Sequence, residues 1–203
     1  MEEHKMRFER ITDTGHEMYK KAMELYADSF PPHEQREAKS QAAILGDDEY
    51  HFALAYDGDT FVGEALYWEW DGYIYIEHLC ILPEMRNKAY GGKVLELLAA
   101  ENEKVILEID PPVDDISIRR RGFYERSGFR VLSYECALFG VHFNCMYAGP
   151  ESADCKVQQL HRSVYADYFS PAHMERYIQL PLRPGEAIHP SPAWVEEDEP
   201  TLP

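Results

Sequence analysis

Leu82-Pro-Glu-Met-Arg-Asn-Lys-Ala-Tyr-Gly-Gly-Lys-Val-Leu-Glu-Leu-Leu98 follows directly on an aromatic, β-branched run, Tyr73 to Ile81, and opens into an apolar-periodic helix. A strand that turns through a Gly-containing loop into a helix start presents unpaired backbone N–H groups and the positive end of the helix dipole. That arrangement binds phosphate. Gly91 and Gly92 let the backbone come close to an anion, because no Cβ stands in the way. Arg86, Lys88 and Lys93 add positive charge to an otherwise acidic chain. The stretch reads as a diphosphate cradle. It contains neither the G-x-x-x-x-G-K-[ST] spacing of a nucleotide P-loop nor the G-x-G-x-x-G of a dinucleotide fold.

Working outward, three β-rich runs precede the cradle: Tyr50 to Tyr56, Thr60 to Trp70 and Tyr73 to Leu82. Asp57-Gly58-Asp59 and Asp71-Gly72 between them are hairpin turn signals, so these strands should form an antiparallel meander. Upstream, Arg7 to Ile11 can be a first strand. Met18, Ala22, Leu25, Tyr26 and Phe30 then fall at helical spacing, with Thr12, Asp13 and Thr14 as N-cap choices and Pro31-Pro32 as the stop. Glu34 to Leu45 reads as a second short helix closed by Gly46.

Downstream, Gly92 to Glu103 continues as a helix and Val105 to Ile109 as a strand ended by Pro111-Pro112. Asp114 to Arg126 is a helix capped by Asp114 or Asp115, with Gly128 beyond its end. Phe129 to Leu138 and Val141 to Ala148 pair around Gly140, and Val157, Leu160, Val164 and Tyr168 mark a further amphipathic helix. Residues 1–182 are read as one domain that includes this hairpin and helix. Residues 183–203 are read as a proline-rich, acidic tail, disordered or packed in extended form.

Twenty Lys and Arg against 37 Asp and Glu give a net charge of −17, which argues against nucleic acid or an anionic membrane surface as partner. The four cysteines lack C-x-x-C spacing and the nine histidines form no zinc motif, so no metal site is expected. The start lacks a hydrophobic signal core, and no apolar run approaches the roughly 18–20 residues that span a bilayer. Free thiols in a cytoplasmic protein are the economical reading. The exposed hairpin and the C-terminal helix are surfaces on which a homodimer could form.

Arg86-Asn-Lys-Ala-Tyr-Gly91-Gly resembles the pyrophosphate loop of the GCN5-related N-acetyltransferases, whose pattern is Arg/Gln-x-x-Gly-x-Gly/Ala. The strand Tyr75 to Ile81 with Leu82-Pro83 looks like that family's fourth strand and its exit. Gly122-Phe-Tyr-Glu-Arg-Ser-Gly-Phe129 looks like its closing motif. The resemblance runs from about Met6 to Val131. It implies an α/β fold with a mixed, mostly antiparallel central sheet flanked by helices, in which the fourth and fifth strands splay to admit acetyl-CoA. Where the family usually has its first loop glycine this sequence has Ala89, which we expect in an ordinary αR or bridge conformation.

The implied activity is transfer of an acetyl group from acetyl-CoA to a primary amine of a small molecule, by direct attack. Carried over residue by residue, backbone N–H groups of Arg86, Asn87, Lys88, Ala89, Tyr90, Gly91 and Gly92 hold the pyrophosphate. Leu79, Cys80 and Ile81 meet the pantetheine arm. Tyr124 protonates or hydrogen-bonds the leaving sulfur, its unperturbed pKa of ~10 keeping it protonated at neutral pH. Taken without the motif context, Tyr124 reads as a buried helix-end aromatic with a satisfied hydroxyl. The family often has an Asn one helical stretch earlier; Ser117 stands there, and that contact is not carried over.

Glu77, nine residues before Arg86, is the candidate general base; a strand carboxylate paired with a neighbouring cation is the alternative. His78 alternates to the opposite face and is expected to be packed or hydrogen-bonded. Phe30-Pro-Pro-His-Glu-Gln-Arg36 falls at the family's substrate-side loop, where Glu34 and Arg36 line the acceptor site or form a surface turn. Tyr75, within the cluster Tyr67, Trp68, Trp70 and Tyr73, could wall the acceptor pocket or pack across strands. Glu108 and Asp110 could bind a cationic substrate, although a solvated strand end is the simpler expectation. Two other readings stay open: a CoA-binding sensor or interaction module without turnover, and an acetyltransferase acting on a protein N-terminus or lysine.

Overall fold

The structure is a computed structural model that describes residues 5–70, 72–166 and 168–190, with their side chains except at positions 33 and 101. The chain divides into two compact units, Met1–Asn102 and Glu103–Pro203, each a mixed α/β assembly built on an antiparallel sheet. No helix of the described residues is long and apolar enough to cross a membrane.

In the first unit the strands β1 (Met6–Ile11), β2 (Tyr50–Asp57), β3 (Thr60–Trp70) and β4 (Tyr73–Ile81) pair in sequence order. Gly58 at φ 61 and Gly72 at φ 83 occupy the expected hairpin turns, where a left-handed backbone matches the twist of the strands. The helices are α1 (Tyr19–Ser29), α2 (Ala38–Ile44) and α3 (Tyr90–Glu101). Tyr26, Tyr50, Phe52, Leu54, Leu66, Ile74 and Leu98 are among its fully buried side chains.

Helix α1 begins later than the Thr12–Thr14 caps suggest. Asp13 Oδ1 accepts instead from Gly15 N–H at 2.7 Å and holds a turn before the helix. The single helix expected from Glu34 to Leu45 is a 3-10 turn at Pro32–Glu34, an extended link, and then α2. The Gln35 side chain explains the break. It donates to the carbonyls of Ala27 and Phe30 at the end of α1 (3.1 and 2.6 Å), while Arg36 N–H donates to the Tyr26 hydroxyl at 2.7 Å. These bonds satisfy helix-end carbonyls and hold the link extended.

In the second unit the strands are β5 (Val105–Ile109), β6 (Arg130–Leu138), β7 (Val141–Ala148) and β8 (Ile178–Leu182), in the order β5-β7-β6-β8. The helices are α4 (Asp115–Arg126), α5 (Asp154–Ala166) and α6 (Pro171–Tyr177). Asp114 caps α4 in a reciprocal capping box with Ser117, which explains why the helix starts where the sequence indicates. Phe139 and Gly140, both at positive φ, make the two-residue turn between β6 and β7. Helix α6 and strand β8 go beyond the elements read from the sequence. Ser170 caps α6 with Pro171 at its first turn, and β8 tolerates Pro181 because it lies at the sheet edge.

Residues 183–190 fold back on β8. Gln179 Nε2 donates to the Ala187 carbonyl at 3.0 Å, and Gln179 Oε1 accepts from His189 N–H at 2.8 Å. The acidic end expected at 196–199 lies outside the described residues.

Candidate functional site

Strand β4 exits through a 3-10 turn at Pro83–Met85 and reaches α3 over Arg86 to Ala89. Asn87 and Ala89 stand at φ 62 and 63, with Lys88 between them in the right-handed half of the map. Alternation of this kind turns successive N–H groups to one side and makes an anion-binding nest. Ala89 is therefore left-handed, contrary to the αR or bridge conformation expected from the sequence. The nest requires that hand, and alanine adopts it at a cost of roughly 1–2 kcal/mol.

Arg86 Nε donates to the Ile81 carbonyl at 3.1 Å and closes the loop on the strand end. The Tyr90 hydroxyl donates to Asp57 Oδ2 at 2.8 Å and ties the first residue of α3 to β2, a contact with no local signal in the sequence. A Cβ built at Gly92 meets no atom within 4 Å, so the face of the helix start is open. A diphosphate fits this loop: nest, helix dipole and open glycine face lie together in the first turn of α3.

The link that carries Glu34 and Arg36 meets β4 at an irregularity of that strand. Leu66 of β3 faces His78 and Tyr67 faces Ile76, so Glu77 is the extra residue of a β-bulge. The bulge breaks the alternation that would send Glu77 and His78 to opposite faces, and both reach the link between α1 and α2. Glu77 Oε1 accepts from Arg36 Nη2 at 2.8 Å. Burial would raise the Glu77 pKa, but the charge of Arg36 and hydrogen bonds from Trp68 and Arg36 leave it lowered.

His78 Nε2 lies 2.9 Å from the Glu34 carbonyl, and its ring packs edge-on against Tyr26 and Phe30. A carbonyl only accepts, so Nε2 carries the proton and Nδ1 is bare. Burial lowers the His78 pKa and keeps the ring neutral. Glu34 thus enters through its backbone, and Tyr75 is buried opposite Trp68 in the hairpin.

Leu79, Cys80 and Ile81 pair with Ala65, Glu64 and Gly63. A Cβ at Gly63 would lie 2.3 Å from the Cys80 carbonyl, so only glycine lets β3 approach there. The Cys80 thiol donates to the fully buried Glu64 at 3.5 Å, and burial pushes the Glu64 carboxyl up to about 8. Glu64 has no place in the sequence reading; its signal is a lone carboxylate in a run of buried strand residues.

In the second unit Tyr124 sits in the last turn of α4, half-buried, with its ring edge-on to Phe129 at 5.5 Å. Its carbonyl accepts from Phe129 N–H at 3.0 Å. Burial pushes the phenol up to about 12, against the charge of Arg120.

Glu108 corrects the expectation of a solvated strand end. Its carboxylate accepts from His161 Nε2 (2.5 Å) and the Tyr165 hydroxyl (2.7 Å), and its side chain is 7% exposed. The partners lie 53 and 57 residues away, beyond any local pattern. Burial alone would lower the His161 pKa, but Glu108 and Cys145 raise it to about 10. Asp110 stays at the surface with Arg120.

Residues 16–129, more than half of the chain, match the family described as the acetyltransferase (GNAT) family. A solved candidate acetyltransferase of the GNAT family from Bacteroides thetaiotaomicron is 28% identical, with a TM-score of 0.71 over 79% of this chain and 96% of that one. The candidate acetyltransferase YjbC of Bacillus subtilis (strain 168) is 27% identical over 111 residues. That match covers 53% of this chain and about half, 55%, of the relative. A Bacillus subtilis acetyltransferase solved in complex with CoA, 12% identical, shares the fold at a TM-score of 0.53 over 72% of this chain and all of that one.

Proposed function

Because this chain belongs to the GNAT acetyltransferase family, we propose that it is an acetyl-CoA-dependent N-acetyltransferase acting on a primary amine of a small molecule by direct attack. The observation that carries the reading is the left-handed pair Asn87 and Ala89 leading into the open first turn of α3. Backbone N–H groups from Arg86 to Gly92 bind the pyrophosphate there. Acetyl-CoA supplies the activated thioester.

The chain's own residues divide the remaining work. Backbone groups of Leu79, Cys80 and Ile81 align the pantetheine arm. Glu77, held ionised by Arg36, attracts the incoming ammonium and orients the amine as its proton departs, directly or through water. Tyr124 keeps its proton up to about pH 12 and offers it to the leaving sulfur. A small acceptor is favoured over a protein chain because Glu34 and Arg36 close on β4, leaving the Arg36 and Glu77 side chains only 18% and 17% exposed.

Titration of acetyl-CoA into the protein, with Gly91→Glu beside it, tests the cradle. A carboxylate is welcome at a helix start, so the variant folds while opposing the pyrophosphate by bulk and charge. Micromolar binding lost in Gly91→Glu is the expected result, and equal affinities would remove the cradle. Thiol release with a panel of amines then separates an enzyme from a CoA-binding module, which would bind without release.

A further inference from the structure

Two buried groups of opposite sense face the same bulge. Arg36 Nε is buried with no hydrogen-bond partner among the described residues, and so is His78 Nδ1. The first is a donor without an acceptor. The second, its tautomer fixed by the bond from Nε2 to the Glu34 carbonyl, is an acceptor without a donor. Leaving such groups unmatched is costly, more so for the charged one.

The two are linked through short contacts. Arg36 donates through Nη2 to Glu77, the residue next to His78. Arg36 N–H bonds the Tyr26 hydroxyl, and the Tyr26 ring packs 5.0 Å from the imidazole. The guanidinium is charged at every working pH and spends one of its side-chain N–H groups on Glu77. Its fork remains suited to a carboxylate.

A ligand that matches both orphans carries an anionic acceptor for the guanidinium and an N–H donor for the imidazole. We propose that the acceptor substrate is a free amino acid, with its carboxylate on Arg36 and its amine between Glu77 and His78 Nδ1. This rests on the N-acetyltransferase reading of the site and narrows it. A protein N-terminus has an amide in place of the carboxylate. A lysine side chain has no anion near its amine. Neither satisfies Arg36. His78 Nδ1, bare and neutral, is placed to receive an N–H bond that aims the nitrogen lone pair away from the imidazole.

The test compares each of the twenty amino acids with its own amide and its decarboxylated amine, by thiol release from acetyl-CoA. At least one acid should exceed both twins in kcat/KM by roughly tenfold or more, the value of a charge-assisted hydrogen-bond pair. In Arg36→Gln that ratio should fall to near unity, through KM of the acid. Loss of the Glu77 counter-charge affects acid and twins alike, so the ratio isolates carboxylate recognition. Equal rates for acids and twins in the natural protein would overturn the proposal while leaving the enzyme reading intact.

Should no amine release thiol, the enzyme reading fails and the inference is read by direct calorimetric titration of the same compounds into the protein. Binding of an acid but not its amide would sustain it. Binding of neither, or of both alike, would overturn it.

Discussion

Arg36 Nη2 stands 2.8 Å from Glu77 Oε1, across 41 residues of sequence. The contact fastens the link between α1 and α2 to the bulge of β4. It sets the charge of the carboxylate and the position of the guanidinium at once. Removing the arginine leaves a largely buried carboxylate without its counter-ion.

Arg36→Gln is expected to destabilise the protein by about 3 kcal/mol at pH 7, the low end for breaking a buried pair. The Glu77 pKa is lowered in the folded state. Its contribution is therefore present above the ordinary carboxylate value of about 4.3 and disappears as pH falls through the lowered one. Urea unfolding at pH 7 and pH 3 should show the gap between natural protein and variant closing in acid. A gap unchanged by pH would assign the loss to packing alone.

Ala89 at φ 63 carries strain that glycine would not. Ala89→Gly should gain about 0.5–1 kcal/mol, because relief of the left-handed conformation exceeds the extra freedom of the unfolded chain. Ala89→Val should lose about 1 kcal/mol, since a β-branched residue tolerates positive φ least. Chemical denaturation of the three proteins orders them, and Val equal to Gly would mean that the loop is not held left-handed.

The legible features were those governed by near neighbours. The turn from β4 into α3, the Asp114 cap of α4 and the hairpin turns at Gly58, Gly72 and Gly140 all follow from residues within a few positions of one another. Ala89 departs from the expected conformation because alanine's own preference is right-handed, whereas the loop sets its hand. The bulge at Glu77 depends on how β3 counts against β4; a single strand does not reveal it. The burial of Glu108 depends on a helix that begins 46 residues later. Helix α6 and strand β8 are short, and their amphipathic signal is correspondingly weak.

Glu108 and His161 form an ion pair with almost no exposure. The imidazolium donates from Nε2 to Glu108, and Nδ1 lies 3.2 Å from the Tyr134 hydroxyl, which accepts. The folded pKa of about 10 lies above the unfolded value of about 6.5. The stabilisation is therefore complete below pH 6.5 and is lost as pH rises toward 10. Thermal unfolding of the natural protein should fall across that window, and Glu108→Gln should flatten it. At pH 7 the variant is expected to lose about 3–5 kcal/mol, since a buried charge is left alone. A melting temperature level from pH 6.5 to 10 in the natural protein would mean that His161 is neutral.

Tyr124 is half-buried between Phe123 and Phe129, and its phenol stays protonated up to about pH 12. A packing role and a proton-donating role predict different results for Tyr124→Phe. The variant keeps the ring, so the contacts with Phe123 and Phe129 survive and stability should change by less than about 1 kcal/mol. If the hydroxyl serves the leaving sulfur, kcat should fall by roughly 100-fold, the lower range for a positioned acid, while the dissociation constant for acetyl-CoA stays within about threefold. The pH profile adds an independent check. A donor with a pKa of about 12 produces no falling limb below pH 10, so any limb seen there must persist in the variant. A limb that vanishes in Tyr124→Phe would place the phenol pKa within the working range and contradict the buried setting. An unchanged kcat would leave Tyr124 with packing alone and move the thiolate's proton to solvent.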